Sequence, residues 1–193
     1  MGLREQKKAA TRAEIGRQAL RLIGEHGYGA TTTEQIAAAA NVSPSTFFRY
    51  FPTKAEAVLV EDVFPRVLVR FMAQPEGLPI TEALRNGIRE VYDRMEEAER
   101  EQDRERRRLL FSVPELRATL MDRYTAGIEE LCEAAAARTG RGRNEPRVRV
   151  WAGAIIGALT SVSAGLVETG NDGVEFAARL DEAVGLLREG LPL

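Results

Sequence analysis

The side chains with the clearest chemical potential are short hydroxyls and one arginine, grouped where the sequence favours a short helix. On such a helix they would share the face that points outward. They are Ser43, Ser45, Thr46, Arg49 and Tyr50. An arginine can donate two parallel hydrogen bonds to a guanine edge, and hydroxyls reach base edges or phosphates. This face is therefore predicted to read DNA in the major groove.

Groups that bind phosphate are expected on either side of that face. Lys54 lies one turn beyond it and is placed to contact a phosphate. The unpaired backbone N–H groups at the start of the preceding helix, near Thr32 and Thr33, offer a second phosphate position. A basic N-terminal segment is predicted to be a flexible arm that attracts DNA of any sequence. Its cations are Arg4, Lys7, Lys8 and Arg12.

Three short helices are predicted to position these groups. The first is expected over residues 11–25. Thr32 and Gln35 have the spacing of a capping box, which predicts the start of a second helix. Pro44 suits the first position of a third helix over residues 44–50. The tight turn between the second and third helices makes them a helix-turn-helix.

The apolar residues of this segment are spaced to pack the helices against one another. Ile36, Ala37 and Ala40 would face inward from the second helix, and Phe47 and Phe51 would do so from the third. The small alanines let the two helices cross closely, while the two phenyl rings anchor the third helix by its inner face. The spacing thus predicts a compact DNA-binding module whose polar face stays outward.

Three stretches of this module resemble the N-terminal domain of TetR-family transcriptional regulators. They are ATTTEQIA at residues 30–37, NVS at 41–43 and TFFRYF at 46–51, followed by Lys54. The resemblance implies an all-α fold, with three N-terminal DNA-binding helices before a larger helical domain for ligand binding and dimerisation. It also implies a regulator, usually a repressor, that a small molecule releases from DNA.

The resemblance assigns DNA-facing positions residue by residue. They are Thr32, Thr33, Ser43, Ser45, Thr46, Phe48, Tyr50 and Lys54. Phe48 departs from the family, which often has tyrosine there. A phenyl ring cannot donate to a phosphate, so its contact is expected to be apolar, against a thymine methyl or a sugar. Arg49 is an added donor, which implies an operator read differently from those of relatives.

The balance of charged residues changes near residue 54, where the helix-turn-helix motifs end. Residues 1–54 hold eight Lys and Arg against four Asp and Glu, whereas residues 55–193 hold nineteen against twenty-five. A basic module on an acidic remainder favours a polyanion-binding part joined to a separate second part. We therefore predict a DNA-binding domain over residues 1–53 and a ligand-binding and dimerisation domain over residues 54–193.

The larger domain is predicted to begin with one helix over residues 54–73, which Pro65 kinks. The charge-rich run over residues 96–108 is interpreted as a solvated helix face. A small, mostly apolar ligand is expected to enter among the helices, with Arg89 as an anchor if it is acidic. Sequence alone does not separate pocket wall from packed core here. The candidate lining residues are Phe64, Val67, Phe71, Arg89, Tyr92, Met95, Phe111, Leu120, Tyr124 and Trp151.

An uncharged stretch over residues 150–167 holds several glycines and alanines. Its eighteen residues reach the lower limit for crossing a membrane, but the small residues favour a helix packed closely on another helix. We therefore predict a homodimer through the last two helices and no membrane contact. The two-fold axis of that dimer implies a palindromic operator, with one recognition helix in each major groove.

Other classes of protein fit the composition less well. One cysteine, Cys132, and one histidine, His26, are too few for a Cys/His zinc site or an internal disulfide. No nucleophile–base pair, glycine-rich phosphate loop or paired-carboxylate motif is visible, so neither an enzyme nor a cofactor is expected. No secretory leader is visible, which favours the cytoplasm. The remaining alternative is a helical adaptor without DNA binding, which leaves the basic N-terminal module unexplained.

Overall fold

The computed structural model describes residues 2–60, 63–169 and 175–190, and in these ranges it contains ten helices and no strand. Residues 1, 61–62, 170–174 and 191–193 lie outside the described residues. The all-α class predicted from the sequence is confirmed. The helices are α1 Leu3–His26, α2 Thr33–Ala39, α3 Pro44–Tyr50, α4 Lys54–Val58, α5 Phe64–Met72, α6 Ile80–Asp93, α7 Glu97–Ser112, α8 Pro114–Thr139, α9 Pro146–Thr169 and α10 Glu175–Glu189.

Two compact units divide these helices. The first, here called the head unit, comprises Met1–Asp62 and Ser112–Leu120. The second, here called the body unit, comprises Val63–Phe111 and Met121–Leu193. The head unit therefore contains α1 to α4 and the first turns of α8, and the body unit contains most of the rest. The functional division of the chain at residue 54 stays a prediction.

The core of the head unit is built from the apolar faces predicted for its helices. Its buried residues include Ile15, Ala19, Leu22, Ile23, Ile36, Ala37, Ala40, Phe47 and Phe51. Burying a large apolar side chain contributes about 1.5–3 kcal/mol. Phe47 and Phe51 therefore fix α3 by its inner face, and the predicted inward positions are confirmed.

α1 begins earlier than the sequence predicts. Arg4, Lys7 and Lys8 lie on its first turns with exposed side chains. Arg12 donates from Nη1 to the carbonyl oxygen of Tyr50 at 3.2 Å, in the same unit. The prediction of a flexible N-terminal arm is therefore wrong, because the alanines and long charged side chains of this segment are good helix formers.

Side-chain caps begin α2 and α3 where the sequence predicts them. The backbone N–H of Gln35 donates to Thr32 Oγ1 at 3.2 Å, and the backbone N–H of Thr32 donates to Gln35 Oε1 at 2.8 Å. Ser43 Oγ accepts from the backbone N–H of Thr46 at 3.1 Å, and Pro44 occupies the first position of α3. Such caps contribute about 1 kcal/mol each.

The turn between α2 and α3 depends on Asn41. Its φ of 55° lies in the left-handed region, which asparagine tolerates better than most residues do. The next N–H, that of Val42, donates to the carbonyl oxygen of Ala37 at 2.9 Å. This closes the end of α2 and sets the direction in which α3 leaves.

The single helix predicted over residues 54–73 is wrong. The structure has two helices there, α4 with Thr53 as its cap and α5 beginning at Phe64. Pro65 lies in the first turn of α5, where its missing N–H has no helical partner to lose. The proline therefore begins a helix and kinks none.

The core of the body unit brings α5 and α6 into close contact at Gly87. A Cβ atom added to Gly87 would lie 2.8 Å from the backbone nitrogen of Phe71. The Phe71 ring is buried and stacks on the Trp151 ring, with centres 6.1 Å apart.

Arg138 donates to the carbonyl oxygen of Gln74 at 2.9 Å. The C-terminal carbonyls after α5 are thus satisfied by a side chain from α8.

α9 is the most apolar helix of the body unit. Residues Pro146–Val167 are long and apolar enough to cross a membrane, judged by length and composition alone. Ala152, Ile155 and Ile156 nevertheless belong to the buried core of the unit. A core helix meets the same criterion, so this single helix is only a weak indication of a membrane span.

Candidate nucleic-acid interface and ligand cavity

α3 presents the hydroxyl-rich surface predicted from the sequence. Ser43, Ser45 and Arg49 are exposed, and Thr46 is half-buried. Ser43 Oγ lies 3.0 Å from Ser45 Oγ and donates to Thr46 Oγ1 at 2.9 Å. Arg49 Nη2 donates to Thr46 Oγ1 at 3.4 Å. A guanidinium has five N–H donors, so this single bond leaves donors of Arg49 for a base edge.

An aromatic pair extends this surface. The Phe48 side chain is 51% exposed, and its ring meets the Phe47 ring edge to face with centres 5.4 Å apart. Because Phe47 is buried, it holds the Phe48 ring in place. Tyr50 is half-buried, and the guanidinium of Arg49 lies 5.6 Å from the centre of its ring. An apolar ring and a cationic group thus stand next to each other on one short helix.

Lys54 is occupied by the loop between α1 and α2. Its ammonium donates to the carbonyl oxygens of Tyr28 at 2.5 Å and Thr31 at 2.8 Å, and it lies 4.1 Å from the centre of the Tyr28 ring. Burial, followed by the charge of Glu115, raises the pKa of the Tyr28 hydroxyl. The contact of Lys54 with a phosphate stays a prediction, and the loop contacts are a role that sequence reasoning missed.

The start of α2 carries a carboxylate beside the predicted phosphate position. Thr32 is exposed and Thr33 is half-buried. The pKa of the Glu34 carboxyl is lowered first by a hydrogen bond from its own backbone N–H, then by the hydroxyls of Thr32 and Thr33. A phosphate bound there would share these donors with Glu34.

The ligand residues predicted from the sequence divide by burial. Val67, Phe71, Met95 and Leu120 are buried, and Arg89 is exposed. The remaining five are half-buried: Phe64, Tyr92, Phe111, Tyr124 and Trp151. Seven of the ten join one apolar core in the body unit, namely Phe64, Val67, Phe71, Tyr92, Met95, Tyr124 and Trp151. Leu120 belongs to the head unit.

Two of these residues, Arg89 and Tyr92, line a cavity of about 410 Å³ in the body unit. We call it the arginine cavity. Helices α6, α7 and α10 supply its walls. The full lining is Arg89, Tyr92, Asp93, Glu97, Arg100, Asp103, Arg104, Arg107, Phe176, Ala177, Ala178 and Asp181. A second opening of about 480 Å³ lies beside Trp151 and Val150.

The interpretation of residues 96–108 as a solvated face is wrong in part. Asp103 is only 7% exposed and Arg106 only 6%. Asp103 lies between Arg106, at 3.5 Å, and the guanidinium of Arg107. Buried charges are found paired, because an unpaired charge would have a large desolvation cost. Three arginines of this run, Arg100, Arg104 and Arg107, line the arginine cavity, and sequence reasoning did not single them out.

Two family descriptions match the chain. A model described as "Bacterial regulatory proteins, tetR family" matches residues 15–59, and one described as "MftR C-terminal domain" matches residues 78–192. Together they cover both the helix-turn-helix and most of the body unit. Both descriptions are of transcriptional regulators, not of enzymes.

Curated relatives and a solved structure agree with these matches. The chain is 37% identical over 102 residues to the regulator TcmR of Streptomyces glaucescens, covering 52% of this chain and 45% of TcmR, which is under half of that relative's length. It is 26% identical over 150 residues to MftR of Mycobacterium tuberculosis, a regulator assigned to mycofactocin biosynthesis, covering 75% of each chain. The fold resembles that of Thermus thermophilus FadR, with a TM-score of 0.59, 23% identity and coverage of 94% of this chain and 95% of FadR.

Proposed function

The chain belongs to the TetR family of bacterial regulatory proteins and is a DNA-binding transcriptional regulator. From this premise we propose that it is a cytoplasmic repressor, which a small molecule releases from DNA. The observation that carries the proposal is the outer face of α3, where hydroxyls, a guanidinium and an aromatic ring are exposed together. That combination suits base edges and thymine methyls in a major groove.

The proposed DNA contacts surround this face. α3 would lie in the groove, while the start of α2 would approach the backbone. The contacting residues would be Thr32, Thr33, Ser43, Ser45, Thr46, Phe48, Arg49, Tyr50 and Lys54. The exposed cations in the first turns of α1, Arg4, Lys7 and Lys8, would add attraction that depends on salt and not on sequence.

We infer a homodimer through α9 and α10. Val150 is 70% exposed and Leu186 is 42% exposed, although both are large apolar side chains. A Cβ atom added at Gly153 or Gly157 would meet nothing within 4 Å, so this side of α9 is open. A second copy could approach such a surface closely and remove its apolar area from water. A two-fold dimer of this kind would bind a palindromic operator.

The released state is proposed to be selected by a ligand in the body unit. FadR of Thermus thermophilus, which has the same fold, is described as a TetR family repressor in complex with lauroyl-CoA. By analogy we propose a small ligand with a mostly apolar body, bound among those of the residues predicted above that belong to the body unit. A tenfold preference for the released state corresponds to about 1.4 kcal/mol of coupling between the two sites.

Selection of bound DNA from a random pool tests the DNA-binding proposal. We expect one palindromic sequence to be enriched, and its affinity to fall steeply between two salt concentrations. Arg49→Ala should weaken that affinity, while Arg21→Ala, which removes an exposed arginine of α1, should change it little. Recovery of random sequences with no enrichment would contradict the proposal.

Sedimentation tests the dimer. The wild-type chain should sediment as a dimer at micromolar concentration, and Gly157→Glu should give monomers because it places a charge on the proposed interface. Gly29→Glu, at an exposed position with open space in the head unit, is the matched control and should remain dimeric. A monomeric wild type, or a dimeric Gly157→Glu, contradicts the proposed interface.

A further inference from the structure

We propose that the arginine cavity binds the acidic group of a small organic anion with a flat apolar body. This inference rests on the proposed ligand response and names the chemical class of the ligand and its binding groups. The volume of about 410 Å³ lies within the range of small-molecule sites. Charged side chains and aromatic rings meet in its walls, and polar groups placed among aromatic rings orient the ligand in small-molecule sites.

The carboxylates in the inner walls are already paired. Asp103 lies between Arg106 and Arg107. Asp181 accepts from Arg85 at 2.8 Å and from Arg89 at 2.7 Å. Each carboxylate therefore has two guanidinium partners, and Arg85 also lies 3.6 Å from Glu82. The negative charges of Asp103 and Asp181 are thus compensated by neighbouring arginines, so they repel a bound anion less than unpaired carboxylates would.

Two other arginines have donors to offer. Arg100 donates from Nε to the carbonyl oxygen of Met95 and from Nη2 to that of Tyr92, both at 3.1 Å. These partners are neutral, so they leave the positive charge of Arg100 uncompensated. Arg104 pairs through Nη1 with Glu101 at 2.7 Å, while its Nε is buried and has no hydrogen-bond partner among the described residues. Buried N–H groups without a partner are rare, and an acceptor from a ligand would satisfy this one.

The aromatic rings and the exposed carboxylates of the lining indicate the shape of the apolar part of the ligand and its charge. The rings of Tyr92 and Phe176 have centres 5.5 Å apart, and the guanidinium of Arg107 lies 4.0 Å from the centre of the Phe176 ring. A flat apolar group can lie along such rings. Asp93 and Glu97 are exposed members of the lining, and their carboxylates disfavour an anion with several charges. The geometry therefore points to an aromatic monocarboxylate.

A matched pair of probes tests this class. Calorimetric titration of the full chain would compare 2-naphthoate with 2-naphthalenemethanol, which has the same ring system and no charge. We expect naphthoate to bind at least tenfold more tightly. Arg104→Gln should reduce that difference to about twofold, while Arg104→Lys should retain part of it. Arg108→Gln, an exposed neighbour on α7, is the control and should leave both affinities unchanged.

Several results would overturn the proposal. Equal affinity for the two probes, or no binding of naphthoate, excludes an anion site. An unchanged preference in a folded Arg104→Gln protein excludes Arg104 as a ligand group. If Arg104→Gln does not fold, as judged by its circular dichroism, Arg100→Gln replaces it and must lower the preference as well.

The test of naphthoate binding can be separated from the test of DNA binding. Operator affinity would be measured on the same protein without either probe. A protein that binds its operator and ignores naphthoate would refute this inference and leave the proposed function standing. A protein that binds naphthoate through Arg104 and binds no operator would refute the proposed function and leave the cavity assignment standing.

Discussion

The ammonium nitrogen of Lys54 lies 2.8 Å from the carbonyl oxygen of Thr31, the residue that precedes the cap of α2. A second bond, to the carbonyl oxygen of Tyr28, ties α4 to the same loop. Lys54 therefore holds the loop that leads into α2. Any contribution it makes to DNA binding includes the placement of the Thr32 and Thr33 donors.

Replacing Lys54 tests whether it positions the loop or contacts a phosphate. Lys54→Met should lower the free energy of unfolding by about 1–3 kcal/mol, because hydrogen bonds to a charged group are lost. Operator affinity should fall as well, and the slope of log affinity against log salt should be flatter by about 0.9, because one phosphate contact is lost. An unchanged slope would instead assign the loss of affinity to the position of the loop alone. Fluorescence anisotropy at four salt concentrations measures the slope.

Replacing Arg49 tests base recognition by α3. Arg49→Ala should cost about 1–3 kcal/mol of operator affinity and relax the preference at one base pair of each half-site. Its hydrogen bond to Thr46 is exposed, so the variant should fold normally. The measurement is affinity for a set of single-base operator variants. Equal losses on the operator and on random DNA would make Arg49 a phosphate contact.

The exposed ring of Phe48 is expected to contact a thymine methyl. Replacing one operator thymine by deoxyuridine removes only that methyl group, which corresponds to about 0.8 kcal/mol, or about fourfold in affinity. The wild-type protein should show this loss at one thymine of each half-site. Phe48→Ala should bind more weakly and be indifferent to the exchange, whereas Phe48→Tyr should keep the sensitivity. No sensitive thymine in the wild-type complex would place the ring against a sugar.

Asp181 links the stability of the body unit to pH. Hydrogen bonds from Arg85 and then Arg89 lower the pKa of its carboxyl. The folded chain therefore binds this proton less readily than the unfolded chain does. The stabilisation is complete above the ordinary pKa of about 4 and is lost as the pH falls through the lower folded value.

Asp181→Asn should therefore lower the free energy of unfolding near pH 7 by about 1 kcal/mol or less, as expected of a partly exposed ion pair. It should also flatten the dependence of that free energy on pH below about pH 5. Denaturant unfolding at several pH values measures both. Glu182→Gln, at an exposed position on the same helix, should change neither. An unchanged pH dependence in Asp181→Asn would assign the linkage to other carboxyls.

The helix starts of the head unit could be predicted because they depend on neighbouring residues. The Thr32 hydroxyl accepts from the backbone N–H of Gln35, and the Ser43 hydroxyl accepts from that of Thr46. Both partners are three positions later in the chain. The inward positions of Phe47 and Phe51 follow from helical spacing. Each of these features depends only on residues a few positions apart, so it can be predicted from the sequence alone.

Features that depend on distant partners could not be predicted in this way. Lys54 meets carbonyl groups that lie 23 and 26 positions earlier in the chain. Asp103 is surrounded by arginines of its own helix, yet one of them is also covered by Phe176 from α10. A run of alternating charges has the same pattern whether water or another helix covers it. The arginine cavity was therefore missed, although Arg89 and Tyr92 were expected to contact a ligand.

The contact at Gly87 restricts how the body unit can respond to any occupant. With no side chain between α6 and the backbone of Phe71, the two helices cannot rotate past each other unless they first separate. Close-packed elements of this kind move in discrete steps and deform little. A displacement of α6 is therefore expected to carry α5 with it, so a ligand that moves one of these helices would move both.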